Sequence, residues 1–374
     1  MDALILSCST GGGHNSAAKA IAKELKNRGW KTTFFDPYSL RSPRMAIRVG
    51  NAYVDMVRLS PALFGAVYEI GKLYQEGERM FHLPDPVLAV QRKTALKLHE
   101  WLEDHPVDVV ICTHPYPGLM LTWLKDHGYT TPPSIMVPTD YTCIPFESDV
   151  KTDWMTLPYP TLAGLFHEEG VARSRMIPSG IPVDPAYEHP ISKKEACKRL
   201  RLDPKKKYTL VGGGSMGIDG IWSVINQSKA LLDQMDDLEL LVLCGHNTQM
   251  IRKIEGMNDP RIHAVKFTTH MFEYLTLASL FITKPGGLSI TEAAACRTPM
   301  ILTCAIPGCE TANAKFFENH GWARYAKDIK DLPDLALPLL QNAPERKPLY
   351  PDWFANNSAR LADWIERMTA GRRK

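Results

Sequence analysis

Short apolar runs alternate with amphipathic helical patterns along nearly the whole chain, and this alternation limits the possible fold more than any other feature. In the first half, Ala3–Cys8 predicts a buried strand, Asn15–Arg28 a helix and Thr32–Phe35 a second strand. Val107–Cys112 and Ser134–Val137 predict further strands. A strand–helix–strand rhythm is typical of parallel sheets with helices on both faces, so we predict an α/β fold.

The rhythm is interrupted twice, and the interruptions predict the domain organisation. A long region without strand signals, residues 41–105, predicts a helical segment, and a proline-rich passage around Pro178–Pro190 predicts a linker. A second series of strands then starts at Tyr208–Val211 and recurs at 238–243, 262–266, 280–283 and 300–303. Because 374 residues exceed one ordinary core, we expect two domains, 1–183 and 184–350. A last helix within 351–374 is expected to pack back on the first domain.

Composition excludes several functional classes. The net charge of +3 lacks the basic excess of nucleic-acid-binding proteins, so no nucleic-acid partner is expected. None of the eight cysteines forms a CxxC pair, which argues against a zinc site or a disulfide framework and favours a cytoplasmic protein. Neither a signal peptide nor a bilayer-spanning run is predicted, so any membrane contact would be peripheral.

A glycine-rich turn follows the first strand and leads directly into a helix, at Ser9–His14. Such a turn can bind a dinucleotide, with Asp36 on the ribose, but the third glycine of that motif is missing, and taken alone the turn is better interpreted as an ordinary tight turn. His14 would lie at the positive end of the helix dipole, which disfavours its cationic form. It would then be a neutral base, or else a residue that caps the helix.

The second half contains two more turns of this kind, at Gly212–Gly217 and at Lys284–Ala293. In the latter, a Pro-Gly-Gly turn opens a helix whose first N–H groups suit a diphosphate, with the Ser289 or Thr291 hydroxyl nearby. Glu292 could accept hydrogen bonds from ribose hydroxyls, although an acid near a helix start also has a purely structural explanation.

A third loop, Ile306–Asn313, again joins a strand to a helix. Glu310 and Asn313 are three residues apart at the helix start, so both side chains can face one sugar. Loops that follow parallel strands meet at the carboxyl edge of the sheet, where open α/β folds bind ligands. The sequence therefore predicts one nucleotide-sugar site at this edge.

Together these segments resemble the monogalactosyldiacylglycerol synthase and processive diacylglycerol glucosyltransferase family, within glycosyltransferase family 28. The resemblance covers nearly the whole chain. The shared segments are Thr10–His14 with Ala17 and Ala20, Thr139–Tyr141, Ser179–Val183, Gly212–Gly214, Cys244–Asn247, Lys284–Glu292 and Pro307–Glu310 with Asn313. The resemblance implies a GT-B fold, in which two Rossmann-like domains face a central cleft, and an inverting, metal-independent transfer without a cofactor.

The resemblance also implies roles for individual residues. His14 would be the catalytic base, with Asp140 near the acceptor. The expected donor-binding residues are Gly13, Gly214, Ser215, Phe267, Thr268, Met271, Gly286, Gly287, Leu288, Ser289, Glu292, Glu310 and Asn313. Among them, the residues from Phe267 to Met271 would hold uracil and Ser289 a phosphate.

Two positions depart from the family pattern. Cys309 is at a position where the family usually has a Gln that helps to recognise the donor sugar, and His246 is at a position where an Arg is common. The donor is expected to be UDP-glucose or UDP-galactose, with UDP-N-acetylglucosamine left open. The number of sugars added, the exact acceptor and the oligomeric state are not determined by these residues.

The acceptor implied by the resemblance is diacylglycerol, which places the protein on the inner face of the cell membrane as a peripheral enzyme. Between Arg41 and His99 basic residues outnumber acidic ones by nine to five, and apolar and aromatic side chains lie between them. Basic amphipathic helices of this kind can bind an anionic membrane surface, whereas the same apolar positions could equally be domain core.

Two other functions remain compatible with these motifs. A UDP-sugar 2-epimerase shares the two-domain architecture and the UDP site, and a UDP-sugar-sensing protein would bind without turnover. The products distinguish them, because only a transferase makes a glycolipid. NAD-dependent oxidation is the weakest alternative, since the first turn lacks its third glycine.

Overall fold

The computed structural model describes residues 1–8, 12–50, 86–212, 220–341 and 350–372. Gly214, Ser215 and most of the basic helical segment therefore lie outside the described residues. The chain divides into two compact units. Unit 1 comprises Met1–Pro185, Pro307–Cys309 and Asn356–Lys374, and unit 2 comprises Ala186–Ile306 and Glu310–Ala355.

Unit 1 contains a six-stranded parallel sheet in the order β2-β1-β3-β4-β5-β6. Its inner strands are continuous apolar runs, as expected for strands covered by helices on both faces. The strands are β1 (Asp2–Leu6), β2 (Lys31–Phe35), β3 (Val109–Cys112), β4 (Ser134–Met136), β5 (Trp154–Leu157) and β6 (Met176–Pro178).

The helices of unit 1 lie in the sequence between the strands of the sheet or after the last of them. They are α1 (Gly12–Asn27), α2 (Pro86–Asp104), α3 (Pro115–Asp126), α4 (Ala163–Glu168) and α12 (Asn357–Arg372), and residues 43–50 are also helical. In α1, Ala17, Ile21 and Leu25 recur at helical spacing and are buried against the sheet. This stripe fixes the direction in which α1 leaves the first strand.

The last helix, α12, is part of unit 1 although the sequence of unit 2 precedes it. Its Leu361 and Ile365 are buried in the same core as Ile5 and Ile111. Burying each such side chain contributes about 1.5–3 kcal/mol. Arg28, directly after α1, also pairs with two carboxylates of α12, so the helix is held by both apolar and charged contacts.

Unit 2 contains a second six-stranded parallel sheet, in the order β12-β11-β10-β7-β8-β9. Its strands are β7 (Lys207–Gly212), β8 (Leu238–Gly245), β9 (Ile262–Lys266), β10 (Leu280–Thr283), β11 (Met300–Leu302) and β12 (Arg324–Tyr325). This is the strand order of a doubly wound nucleotide-binding sheet.

The helices of unit 2 cover this sheet. They are α5 (Lys193–Leu200), α6 (Gly220–Leu232), α7 (Thr248–Glu255), α8 (Met271–Leu277), α9 (Gly287–Ala295), α10 (Cys309–Asn319) and α11 (Leu332–Gln341). Leu240, Ile282 and Ile301 of the strands share one core with Leu332 and Leu340 of α11. The core holds the strand ends, and therefore the loops after them, in fixed positions.

The predicted strands agree with the structure except at the weakest signals. β5, β6 and β12 were not predicted. β6 has three residues, one of them proline, and lies at the start of the passage interpreted as a linker. β12 has only two residues. Such short edge segments bury too little apolar surface to produce a readable pattern.

Candidate functional site

The strand order of each sheet marks the place where a ligand is expected. In open α/β sheets, ligands bind beyond the carboxyl ends of the strands, where the strand order reverses. In unit 1 this point lies between β1 and β3, which are followed by the turn to His14 and by Thr113. In unit 2 it lies between β7 and β10, which end at Gly212 and next to Lys284.

His14 lies in the first turn of α1 and is fixed by contacts with two neighbouring loops. Its Nδ1 is 2.7 Å from the Thr113 carbonyl oxygen and 3.0 Å from the Thr139 Oγ1. The Thr113 hydroxyl in turn donates to the His14 carbonyl oxygen over 3.1 Å. Both threonines are buried, so the imidazole is held by side chains that cannot easily move.

These contacts determine the tautomer of His14. A carbonyl oxygen only accepts, so Nδ1 carries the proton and Nε2 keeps its lone pair. Burial lowers the pKa of His14, while the Asp140 charge and the bond to Thr113 act in the opposite direction. His14 therefore has the properties of a neutral base, and burial is the largest cause of its lowered pKa.

A second histidine, His114, lies beside the first, with ring centroids 4.6 Å apart. Its Nδ1 accepts a hydrogen bond from the Tyr116 backbone N–H over 3.1 Å, which makes His114 the N-cap of α3. Burial, with a smaller contribution from His14, lowers the pKa of His114 well below its ordinary value. Both imidazoles are therefore neutral near pH 7.

Asp140 follows Thr139 in the loop after β4 and is partly buried. Further along the same loop, Glu147 is buried, and its carboxylate accepts from the Ile144 N–H over 3.2 Å. Burial raises the pKa of Glu147 well above its usual value, and the Asp140 charge adds to the effect. Phe146 has φ 67°, a left-handed conformation that is strained for an aromatic residue.

At the edge of the second sheet, Lys284 and Glu310 form an ion pair. Their side chains are only 12% and 8% exposed, so both charges are largely removed from water. The second carboxylate oxygen of Glu310 accepts from the Ile306 N–H over 3.0 Å. The pair thus joins the loop after β10 to the loop after β11.

Asn313 connects the same two loops. It is fully buried, and its Nδ2 donates to the Pro285 carbonyl oxygen over 3.0 Å. The sequence predicts that Glu310 and Asn313 face a sugar, and the structure shows that some of their polar atoms already bind the chain itself. Glu310 also retains acceptor capacity, because each carboxylate oxygen carries two lone pairs.

The helix α9 begins in this loop, and its N-terminal N–H groups have no side-chain cap from Gly286. Ser289 and Glu292 lie three residues apart on one face of α9, and both are partly buried. The Thr291 hydroxyl instead donates to the Gly287 carbonyl oxygen over 2.6 Å, inside the helix. Of the two predicted hydroxyls, Ser289 is therefore the one available to a ligand.

The predicted uracil segment follows β9. Phe267 is 60% exposed and its ring stacks on His246, with centroids 4.5 Å apart and planes 12° from parallel. The Thr268 hydroxyl accepts from the His270 N–H, and Met271 is the first residue of α8. The His246 position that departs from the family pattern thus contributes to a planar aromatic surface.

A small cavity lies at the ends of β7, β10 and β11, bordered by Gly212, Lys284 and Cys304. Cys304 has φ 51° and is exposed, and Cys309 is partly exposed at the start of α10. The cavity contacts the ion pair through Lys284, so the paired charges lie at the border of an opening in the sheet edge.

Sequence reasoning missed four residues of these two edges: Thr113, His114, Glu147 and Lys284. His114 had a readable signal, because a His-Pro pair directly after a buried strand marks a helix start. Lys284 lies in the turn Lys284–Ala293, but the turn alone does not indicate its role, because its partner Glu310 is distant in sequence. Glu147 had no signal, because nothing in the sequence distinguishes a buried acid from a solvated one.

The described residues contain neither a cluster of metal-ligating side chains nor a membrane-spanning helix. They contain no group of three or more His, Cys, Asp or Glu side chains placed to hold a metal ion. In the same parts of the chain, no helix combines the length and apolar character needed to cross a bilayer.

Family models match both halves of the chain. Residues 14–183 match the model of monogalactosyldiacylglycerol (MGDG) synthase, and residues 208–368 match the C-terminal domain of glycosyltransferase family 28. Each match covers a little under half of the chain, and together they span most of it. The family expected from the sequence is thereby confirmed, and His14 is the first residue of the first match.

Similar curated proteins span most of the transferase. The processive diacylglycerol β-glucosyltransferase of Bacillus pumilus is 26% identical over 344 residues, which are 91% of this chain and 86% of the relative. The enzyme of the same name from Bacillus subtilis is 25% identical over 328 residues, covering 86% and 82% of the two chains.

Solved structures share the fold of the transferase. MurG of Acinetobacter baumannii has a TM-score of 0.59 at 16% identity and covers 98% of this chain and 99% of its own. The glycotransferase of kitacinnamycin has a TM-score of 0.64 at 16% identity, with 98% of both chains covered. The UDP-GlcNAc 2-epimerase of Neisseria meningitidis reaches 0.58 at 11% identity, covering 98% and 100%. The predicted GT-B fold with two Rossmann-like domains is confirmed.

Proposed function

We propose that this transferase moves a hexose from a UDP-sugar to diacylglycerol with inversion at the anomeric carbon. His14 acts as the base, and no metal ion takes part. The observation that carries the proposal is the setting of His14, a partly buried, neutral imidazole whose Nδ1–H is fixed on Thr113. The proposed acceptor follows the similarity to the diacylglycerol β-glucosyltransferases.

The proton step takes place on the edge of unit 1. Nε2 of His14 removes the proton of the acceptor hydroxyl as its oxygen attacks the anomeric carbon. The bond from that carbon to the diphosphate oxygen breaks, and UDP leaves with the electron pair. The imidazolium that forms is stabilised by the Asp140 charge, which favours the protonated form of His14.

The donor binds at the edge of unit 2. The uncapped N–H groups of α9, with Ser289, hold the diphosphate, and Glu292 accepts from the ribose hydroxyls. Fixed N–H dipoles can stabilise the leaving diphosphate in the role that a divalent cation has elsewhere. Phe267, Thr268 and Met271 border the uracil, and the Lys284 pairing holds Glu310 beside the sugar.

The enzyme acts as a peripheral protein on the cytoplasmic face of the membrane. In the helical residues 43–50, Ile47 is 60% exposed, and Arg44 and Arg48 on either side of it are exposed as well. An exposed apolar side chain between two arginines suits an anionic bilayer surface. The remainder of this basic segment lies outside the described residues.

One assay tests the reaction. The protein is incubated separately with UDP-glucose, UDP-galactose and UDP-N-acetylglucosamine, each with diacylglycerol vesicles, and the lipid product is identified by mass spectrometry. We expect a glycolipid from one hexose donor. The anomeric configuration of the transferred sugar should be opposite to that in the donor, and EDTA should not reduce the amount of glycolipid formed. An isomerised nucleotide sugar without any glycolipid would contradict the transferase assignment and favour an epimerase.

Binding to the membrane is tested independently by sedimentation with vesicles. We expect binding to phosphatidylglycerol vesicles that weakens with salt, and less binding to neutral vesicles. Ile47→Ser with Arg44→Gln should reduce it, whereas the matched surface change Glu168→Gln on α4 should not. Equal binding to both kinds of vesicle would contradict the anionic-surface proposal.

A further inference from the structure

The two imidazoles at the edge of unit 1 are held as opposite tautomers by different backbone groups. Nδ1 of His14 faces a carbonyl oxygen and must carry a proton, whereas Nδ1 of His114 faces an N–H group and must not. In the neutral rings, Nε2 of His14 is therefore a proton acceptor, and Nε2 of His114 is a proton donor.

The Nε2 atoms of both rings lack a hydrogen bond to the described part of the chain. Each ring forms a hydrogen bond to the backbone through Nδ1 instead. The ring centroids are 4.6 Å apart and the planes are inclined by 68°. One small polar group can thus contact both rings at once.

An acceptor and a donor side by side match a particular substrate feature. A hydroxyl group gives its proton to His14, and an oxygen on the neighbouring carbon accepts the hydrogen bond from His114. Diacylglycerol has this arrangement, because an ester oxygen lies on the carbon next to the one that carries the hydroxyl. A simple long-chain alcohol does not.

We infer that His114 is a second acceptor-binding residue, which donates from Nε2 to the oxygen adjacent to the attacking hydroxyl and thereby selects vicinally oxygenated acceptors. This inference rests on the proposed diacylglycerol activity and deepens it. His114 orders the acceptor and discriminates among acceptors, while His14 takes the proton.

The fold ties this role to the start of α3. His114 is the N-cap of that helix, and Pro115 follows as its first residue. The bond from the Tyr116 N–H prevents the His114 ring from turning its Nδ1 toward a ligand. The cap therefore fixes both the orientation of the ring and the atom that carries its proton.

The test compares two acceptors that differ in a single group. The first is diacylglycerol, and the second is a matched alcohol in which an alkyl chain replaces the ester on the carbon next to the hydroxymethyl group. For the wild-type protein, we expect kcat/KM to be about 10-fold or more higher with diacylglycerol, since one hydrogen bond to a buried donor is lost with the analogue.

Two variants separate the donor function from the cap. In His114→Asn the side-chain oxygen can still cap α3, but the amide is too short to replace Nε2. The ratio of the kcat/KM values for diacylglycerol and the analogue should therefore fall to near one. In His114→Gln the amide nitrogen can replace Nε2 while the cap is weakened, so much of the preference should return. Thermal unfolding of both proteins accompanies the assays.

The outcomes are distinct. A wild-type protein that uses both acceptors equally well would overturn the inference without any variant being needed, while the diacylglycerol activity would stand. An unchanged acceptor ratio in His114→Asn, even with lower activity, would reduce His114 to a structural role. No glycolipid from either acceptor would overturn the proposed activity and the inference together.

Discussion

At the edge of the first sheet the reactive side chains are two imidazoles that burial keeps neutral, whereas at the edge of the second a lysine and a glutamate form a nearly buried ion pair. Both edges follow parallel strands at a reversal of strand order. Uncharged rings with fixed tautomers suit proton transfer. Paired charges beside an uncapped helix N-terminus suit an anionic ligand.

The difference shows how one type of sheet edge can perform two kinds of chemistry. In each unit the fold supplies the position, and the side chains in the loops supply the charge state. Burial keeps the His14 imidazole neutral, whereas Lys284 and Glu310 lie side by side as an ion pair. Changing the side chains of one edge at a time tests this difference.

The largest expected effect is on the proton-transfer edge. His14→Asn keeps a side-chain N–H for the Thr113 carbonyl but lacks Nε2, so kcat/KM should fall about 10²- to 10⁴-fold. The dissociation constant for UDP, measured by calorimetry, should not change, because the donor is assigned to unit 2. Full turnover by this variant would remove the base assignment.

The second effect concerns stability on the donor edge. Lys284→Met leaves the Glu310 carboxylate nearly buried without its cation, which should cost about 3–5 kcal/mol of unfolding free energy. The double variant Lys284→Met with Glu310→Gln should recover most of this loss. Denaturant unfolding measures both, and equal losses in the single and double variants would show that the ion pair is not the cause.

The third effect is the response of unit 1 to acid. Because the pKa values of His14 and His114 are lowered in the folded state, the unfolded state binds protons first as the pH falls through about 6.5, the ordinary histidine value. The stability of unit 1 should therefore be complete above that pH and decrease below it. Amide hydrogen exchange in α1 and α3 at pH 7.5 and 5.5 measures the change.

The paired variant His14→Asn with His114→Asn provides the control for this acid response. It removes both titrating rings, so the additional loss of protection at pH 5.5 should be smaller than in the wild-type protein. An identical pH response in the variant would assign the acid sensitivity to other groups.

The smallest expected effect is on the thermal stability of the protein and concerns Glu147. Burial raises the pKa of its carboxyl group. The folded state then binds the proton more tightly than the unfolded state, so stability decreases as the pH rises above the ordinary value of about 4.5. Glu147→Gln should raise Tm by about 2–4 °C at pH 8 and by less at pH 5. The exposed Glu168→Gln should change neither value.

Much of the fold could be predicted because buried parallel strands produce continuous apolar runs. Ile262–Lys266 and Leu280–Thr283 have the predicted bounds, and the other predicted strands differ only by a few residues at their ends. β6 was not predicted because its three residues include a proline. Its place in the sheet depends on pairing with β5, which is a tertiary contact.

The candidate site was predictable where glycines mark turns and not where distant segments meet. The glycine-rich turn located His14, and the Pro-Gly-Gly turn located the start of α9. Nothing local to His14 reveals the Thr113 carbonyl that sets its tautomer, or the neighbouring ring of His114. Proton positions depend on hydrogen-bond partners, and here those partners come from other strands.

The placement of α12 has a consequence for any attempt to divide the protein. A fragment that ends at Pro185 would lack Leu361 and Ile365 and would expose the apolar surface of α1 that they cover. The His14-bearing half can be isolated only if residues 356–374 are rejoined to it. A stop codon near residue 350 would therefore damage the first half of the protein, although every one of that half's earlier residues had been translated.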